Sequence, residues 1–202
     1  MNKTELPENQ IDSNGWLRIT SNTRRSFSPN FDFRPLNTNP TLVVLHNISL
    51  PSGKFGGDNV ENLFLNKLDT SQHEFEQLKS LRVSSHFFVR RTGFIVQFIS
   101  TFRRAWHAGE SNFLGVKNCN DFSIGIELEG SDFVEFEDKQ YNSLIFLAQI
   151  LAKKFPLIKA ITSHEYIAPK RKTDPGPYFD WTILERNFQA LSICWKIFHI
   201  KN

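Results

Sequence analysis

Cysteine is scarce in this sequence, long apolar runs are missing, and neither sign of charge dominates. Only Cys119 and Cys194 occur in 202 residues, far apart and in no C-x-x-C pair. That excludes a cysteine-built zinc finger and a disulfide-stapled scaffold. No stretch approaches about 18 apolar residues without charge, so no membrane insertion is expected. Met1 to Gln10 contains no apolar run and does not read as a secretory signal. Together with the few cysteines, this points to a reducing, cytoplasmic compartment. The net charge is +3, from 24 basic and 21 acidic residues. The basic pairs, such as Arg90-Arg91 and Arg103-Arg104, read as solvated faces with no nucleic-acid motif beside them. Several catalytic signatures are absent too. The Gly-rich loop at 50–57 lacks G-K-[ST], no G-x-S-x-G elbow occurs, and Ala168 stands where H-E-x-x-H requires a second histidine.

What is present suits one domain with a sizeable core, at 40% hydrophobic residues. Residues 1–40 are polar and read mostly as an extended arm over the surface leading into the first strand, with Trp16, Leu17 and Ile19 able to anchor an early turn. Leu42-Val43-Val44-Leu45 is an unbroken apolar run, as in a strand buried on both faces. His46 and Asn47 follow at its end, where sites in α/β folds sit. Asp58 is placed to cap a helix over Val60 to Leu68. Residues 86–99 form a hairpin by pattern, with Gly93 supplying the turn. His107 follows Trp106 in an irregular stretch, as a ligand or as a residue supporting the ligands from behind, with a structural hydrogen bond as the default reading.

Residues 123–129 alternate. Ile124, Ile126 and Leu128 face one side, and Gly125, Glu127 and Glu129 the other. Two carboxylates there are solvated if the strand is at an edge. If it is central, they require a cation nearby. Lys139 to Phe155 has helical periodicity and stops at Pro156. A short strand at Ala160–Thr162 runs into a proline-punctuated loop, and a helix is expected from Trp181 or Thr182 to about Phe198. The order of elements is that of a mixed α/β (α+β) domain, a central mixed sheet flanked by helices. Its parts divide as 1–40, a core at 41–181, and a C-terminal helix at 182–202.

Thr162 to Pro177 carries the densest chemistry. His164, Lys172 and Asp174 lie on a loop stiffened by Pro169, Pro175 and Pro177. Of six histidines, only His46 and His164 follow strand-like runs, and Asp174 is the nearest third ligand. Two imidazoles and a carboxylate suit a catalytic zinc with an open fourth position. The plainer alternative is a hydrogen-bonded histidine and a turn aspartate.

The segments LVVLHNISLP, LRVSSHFFVRRTG, RAWHAG, CNDFSIGIELEG and IAPKRKTDPGP resemble the zinc amidases that cut anhydro-N-acetylmuramyl-L-alanine, the AmpD type. Their superfamily also holds phage lysozyme-like amidases and peptidoglycan recognition proteins. The resemblance implies one zinc per chain on His46, His164 and Asp174. It implies Glu127 as catalytic carboxylate and Lys172 as catalytic lysine, with Asn47, Arg82 and Trp106 at the substrate. The substrate implied is an anhydromuropeptide from peptidoglycan recycling, cut between the lactyl group and L-alanine by a monomer. A lytic amidase on intact cell wall and a non-catalytic recognition domain are the alternatives. The sequence departs from the family at Asn118, where an arginine is usual, with Lys117 beside it.

Overall fold

Leu42–Leu45 lies at the middle of the molecule because it is apolar on both faces. In a computed structural model, which describes residues 10–200, it belongs to β3 (Leu42–Ile48), the third strand in chain order. β1 (Thr23–Arg25) and β2 (Phe31–Phe33) precede it. After it come α1 (Asn59–Phe64), β4 (Phe87–Val89), β5 (Ile95–Gln97), β6 (Arg103–Ala105), β7 (Asn112–Phe113), β8 (Val116–Lys117) and β9 (Ser123–Glu129). The chain ends with α2 (Asp138–Lys154), β10 (Ala160–Ser163), α3 (His164–Ile167), α4 (Trp181–Ala190) and β11 (Lys196–Phe198).

Seven strands form one sheet in the order β1-β5-β4-β9-β3-β10-β11. Its pairs are parallel except for the β4–β5 hairpin. Gly93 takes φ +81° in that hairpin's turn, and its N–H bonds the Arg90 carbonyl. The pattern-based hairpin is therefore present. β2 with β6 and β7 with β8 make two small antiparallel ribbons.

One face of the sheet is apolar. Val43, Leu45, Ile124, Ile126 and Leu128 pack against Leu144, Leu147, Ala148 and Leu151 of α2 and Leu184 and Phe188 of α4. α2 starts one residue before the periodicity predicts. Gln140 Oε1 accepts from the Glu137 N–H at its first turn, and its amide donates to the Val89 and Glu129 carbonyls. The other face carries Leu42 and Val44 of β3, packed with Ala108, Cys119 and Ile167. Period-two alternation puts His46 and Glu127 on this second face.

Four expectations change. α1 ends at Phe64 rather than Leu68, because Asn66 turns left-handed at φ 58° and Lys67 N–H closes back on the Asn62 carbonyl. Asp58 sits at the helix start without a side-chain cap and pairs with Arg90 instead. The helix expected up to Phe198 stops at Ala190; Ser192 takes φ 56°, and the chain re-enters the sheet as β11 beside β10. The arm at 1–40 is not all surface: β1 pairs with β5, and Ile11 and Leu17 are buried in the main core. The reading of Met1–Gln10 falls, apart from Gln10, outside the described residues.

Candidate active site

Three strands and one loop converge on a point. β3 delivers His46, which is 1% exposed. β10 ends at Ser163, whose Oγ accepts the Tyr166 N–H and so starts a short helix. His164 is the first residue of that helix, where the sequence suggested loop. The chain then returns through Lys172 to Asp174, and the Asp174 carbonyl accepts the Glu165 N–H. Asn47 braces the returning loop by donating to the Pro175 carbonyl at 2.9 Å and to Asp132 Oδ1 at 2.7 Å. Thr173 Oγ1 donates to the other oxygen of Asp132.

His46 Nδ1, His164 Nδ1 and Asp174 Oδ2 face one another. The two nitrogens are 2.9 Å apart, and each is 3.0 Å from the carboxylate oxygen. These residues form a group able to hold a metal ion. Their outer contacts assign the ring protons. His164 Nε2 lies 3.0 Å from the Ala108 carbonyl, which can only accept, so Nε2 carries the hydrogen. His46 Nε2 lies 2.9 Å from His107 Nδ1, and His107 Nε2 lies 3.1 Å from Ser123 Oγ. Ser123 gives its own proton to the Cys119 carbonyl, so it must accept from His107, and His107 Nδ1 must accept from His46. With both rings neutral, both Nδ1 atoms then present lone pairs to the Asp174 carboxylate. Three acceptors sharing no proton fit a cation, and two imidazoles with one carboxylate fit zinc.

The electrostatics agree. Burial, with His164 and Lys172 nearby, pushes His46 down to about 4 despite Asp174. Burial raises Asp174, but the neighbouring His164 and His46 rings outweigh it and hold the carboxyl well below the usual range. His107 is driven well below its ordinary value by burial and by His46.

Glu127 stands opposite His46 in the β3–β9 ladder. Its Oε2 is buried with no hydrogen-bond partner. Burial and the Asp174 charge raise its pKa well above the normal carboxylate value, against the pull of Lys172. Glu129, on the same strand face, is different. Its oxygens accept the Gly56 and Arg91 N–H groups at 2.6 and 2.8 Å. The central position of β9 thus dries both carboxylates, and only Glu127 is left reaching for a partner. Lys172 is exposed on the loop two residues before Asp174.

Trp106 is half-buried, and its carbonyl accepts the Ser84 N–H at 3.0 Å, which draws the Arg82 segment beside it. Arg82 is exposed and gives Nη1 to the Lys79 and Leu81 carbonyls. Asn118 turns left-handed at φ 59°, and Lys117 is exposed in β8. The sequence left His107 open between a ligand, a support behind the ligands and a structural hydrogen bond, and it did not single out Ser123, Ala108 or Asp132. Nothing local marks those three, since each acts through a residue remote in the chain.

The family described as N-acetylmuramoyl-L-alanine amidase matches residues 36–177. The 1,6-anhydro-N-acetylmuramyl-L-alanine amidase AmpD of Citrobacter freundii is 49% identical over 179 residues, covering 88% of this chain and 92% of the relative. A crystal structure of an AmpD selenomethionine derivative matches with a TM-score of 0.81 at 47% identity, covering 88% of this chain and 97% of that one. AmiD of E. coli was solved with anhydro-N-acetylmuramic acid-L-Ala-D-gamma-Glu-L-Lys as substrate. It matches with a TM-score of 0.55 at 29% identity, covering 76% of this chain and 60% of that one.

Proposed function

The chain belongs to the N-acetylmuramoyl-L-alanine amidase family, and on that premise we propose that it cuts anhydromuropeptides at the amide between the lactyl group of the anhydro sugar and L-alanine. His46, His164 and Asp174 would hold one zinc. The single observation that carries this is the trio of acceptors with no proton among them. Zinc bound there would supply a Lewis acid that makes water a better acid and polarises the scissile carbonyl.

The remaining steps fall to the chain's own groups. Glu127 takes a proton from the attacking water. Its raised affinity for that proton and its unpartnered Oε2 suit a general base. The new C–O bond forms first and moves the carbonyl π pair onto oxygen; the C=O then re-forms as the C–N bond breaks, and Glu127 returns the proton to the leaving amine of L-alanine. Lys172 places its ammonium where negative charge grows on the carbonyl oxygen. Trp106 packs on the sugar, and Asn47 keeps the Asp174 loop in place. Arg82 grips a carboxylate of the stem peptide, a task for which a planar guanidinium suits. The products are a free lactyl carboxylate and a stem peptide, and the recycling role would place the enzyme, as a monomer, in the cytoplasm. Among the described residues no helix is long and apolar enough to cross a membrane.

Mass spectrometry of products from purified anhydromuropeptides tests this, with and without chelator. Release of the L-alanine-led peptide, lost on chelation and restored by zinc, is expected. Preferential cleavage of intact peptidoglycan would replace the recycling substrate. No cleavage of either by zinc-loaded protein would remove the hydrolytic reading.

A further inference from the structure

The residues behind the trio form a continuous chain that the reaction itself does not use. His46 Nε2–H donates to His107 Nδ1, His107 Nε2–H donates to Ser123 Oγ, and Ser123 donates to the Cys119 carbonyl. Ala108, the residue after His107, offers its carbonyl to His164 Nε2–H. Both N–H groups of this dipeptide are fixed by one acceptor: Asn120 Oδ1 takes the His107 N–H at 3.1 Å and the Ala108 N–H at 2.8 Å. Arg171 donates to the same Ala108 carbonyl at 2.7 Å.

We propose that the His107-Ala108 dipeptide, clamped by Asn120, orients both histidine ligands, with His107 acting as a positioning residue for His46. This rests on the reading of His46, His164 and Asp174 as the metal ligands. The chain of donors has one direction, because it ends on a carbonyl that can only accept. It leaves His46 no choice of tautomer: Nε2 keeps the proton, and Nδ1 turns its lone pair to the trio. A second observation comes from β9. A Cβ on Gly125 would lie 2.5 Å from His107 Cγ, so the strand omits a side chain where the ring must lie. The ring also packs edge-on against His46, with centroids 5.1 Å apart. The dipeptide thus acts twice, by a side chain on one ligand and by a carbonyl on the other.

The test compares His107→Leu with His107→Gln, reading zinc affinity by chelator competition. Glutamine can accept from His46 and donate to Ser123, whereas leucine only fills space. Affinity should fall about tenfold or more in the leucine variant, the usual scale for losing a partner of a metal-bound histidine. The glutamine variant should stay near the unsubstituted protein. Equal affinity in all three, or equal loss in both variants, would overturn the proposal. Nitrogen-15 spectra of the metal-free natural protein give a readout that no substitution can confuse. They should show His46 and His107 both protonated on Nε2; a proton on His46 Nδ1 would overturn it. Absence of zinc uptake by the natural protein would instead overturn the ligand assignment, and this proposal with it.

Discussion

His46 Nδ1 and His164 Nδ1 lie 2.9 Å apart with their ring protons pointing away from each other, one to His107 and one to Ala108. Two lone pairs so placed repel unless a cation lies between them. Asp174, held ionised at 3.0 Å from both, completes the negative side of that balance. The first prediction concerns this relationship. His46→Ala, His164→Ala and Asp174→Ala should each lower zinc occupancy and activity together, since a three-ligand site cannot spare a donor. Metal analysis beside an activity assay checks it. Any variant keeping full zinc and full activity is not altered at a ligand.

The second prediction separates two carboxylates on one strand face. Glu127→Gln should keep zinc and lower kcat by roughly a hundredfold or more, the scale for losing a general base. Glu129→Gln should leave kcat near normal and act on stability, because its oxygens hold the Gly56 and Arg91 amides. The reverse pattern would move the catalytic role to Glu129.

A third prediction concerns specificity. Arg82→Ala should raise KM for peptide-bearing substrate with kcat little changed, the signature of lost uniform binding. A substrate with its peptide carboxylates amidated should be indifferent to the change. Equal losses on both substrates would mean that Arg82 supports its loop through Lys79 and Leu81 instead.

A fourth concerns acid stability. His86 is fully buried; burial and the Arg34 guanidinium push it down to about 3. Its Nδ1 accepts the Gly125 N–H and its Nε2 donates to the Arg103 carbonyl, so the neutral ring is the one the fold uses. Unfolded, it would take a proton below about 6.5. The unfolded chain then binds more protons than the folded one, so stability falls as pH drops from that value towards 3. The slope from this one residue is about 1.4 kcal/mol per pH unit. Denaturant melts between pH 7 and 4 should show a shallower acid slope for His86→Gln, even though its stability at pH 7 is lower. An unchanged slope would assign the acid sensitivity to other groups.

Residues close in sequence made much of the fold legible. The apolar run of β3, the hairpin turning at Gly93, the periodicity of α2 and its stop at Pro156 are local signals. Each records which neighbours must share a face or which backbone angles are allowed. The same is true of His46, His164 and Asp174, marked as candidates by where strand-like runs end and prolines begin. What ended α4 had no such mark: Ser192, neither glycine nor proline, takes the left-handed turn, and Lys196–Phe198 becomes a strand only because β10 offers an open edge.

The alternation treats Glu127 and Glu129 alike, and the family resemblance pointed to Glu127; only the tertiary structure gave the physical difference, in loops that reach one carboxylate and not the other. Only it gave His107 its place, packed against Gly125 and bonded to His46 and Ser123. Side-chain type and spacing set what a residue is able to bond. Which partner it meets, and therefore which nitrogen holds its proton, depends on strands and loops far apart in the chain being brought within 3 Å or so.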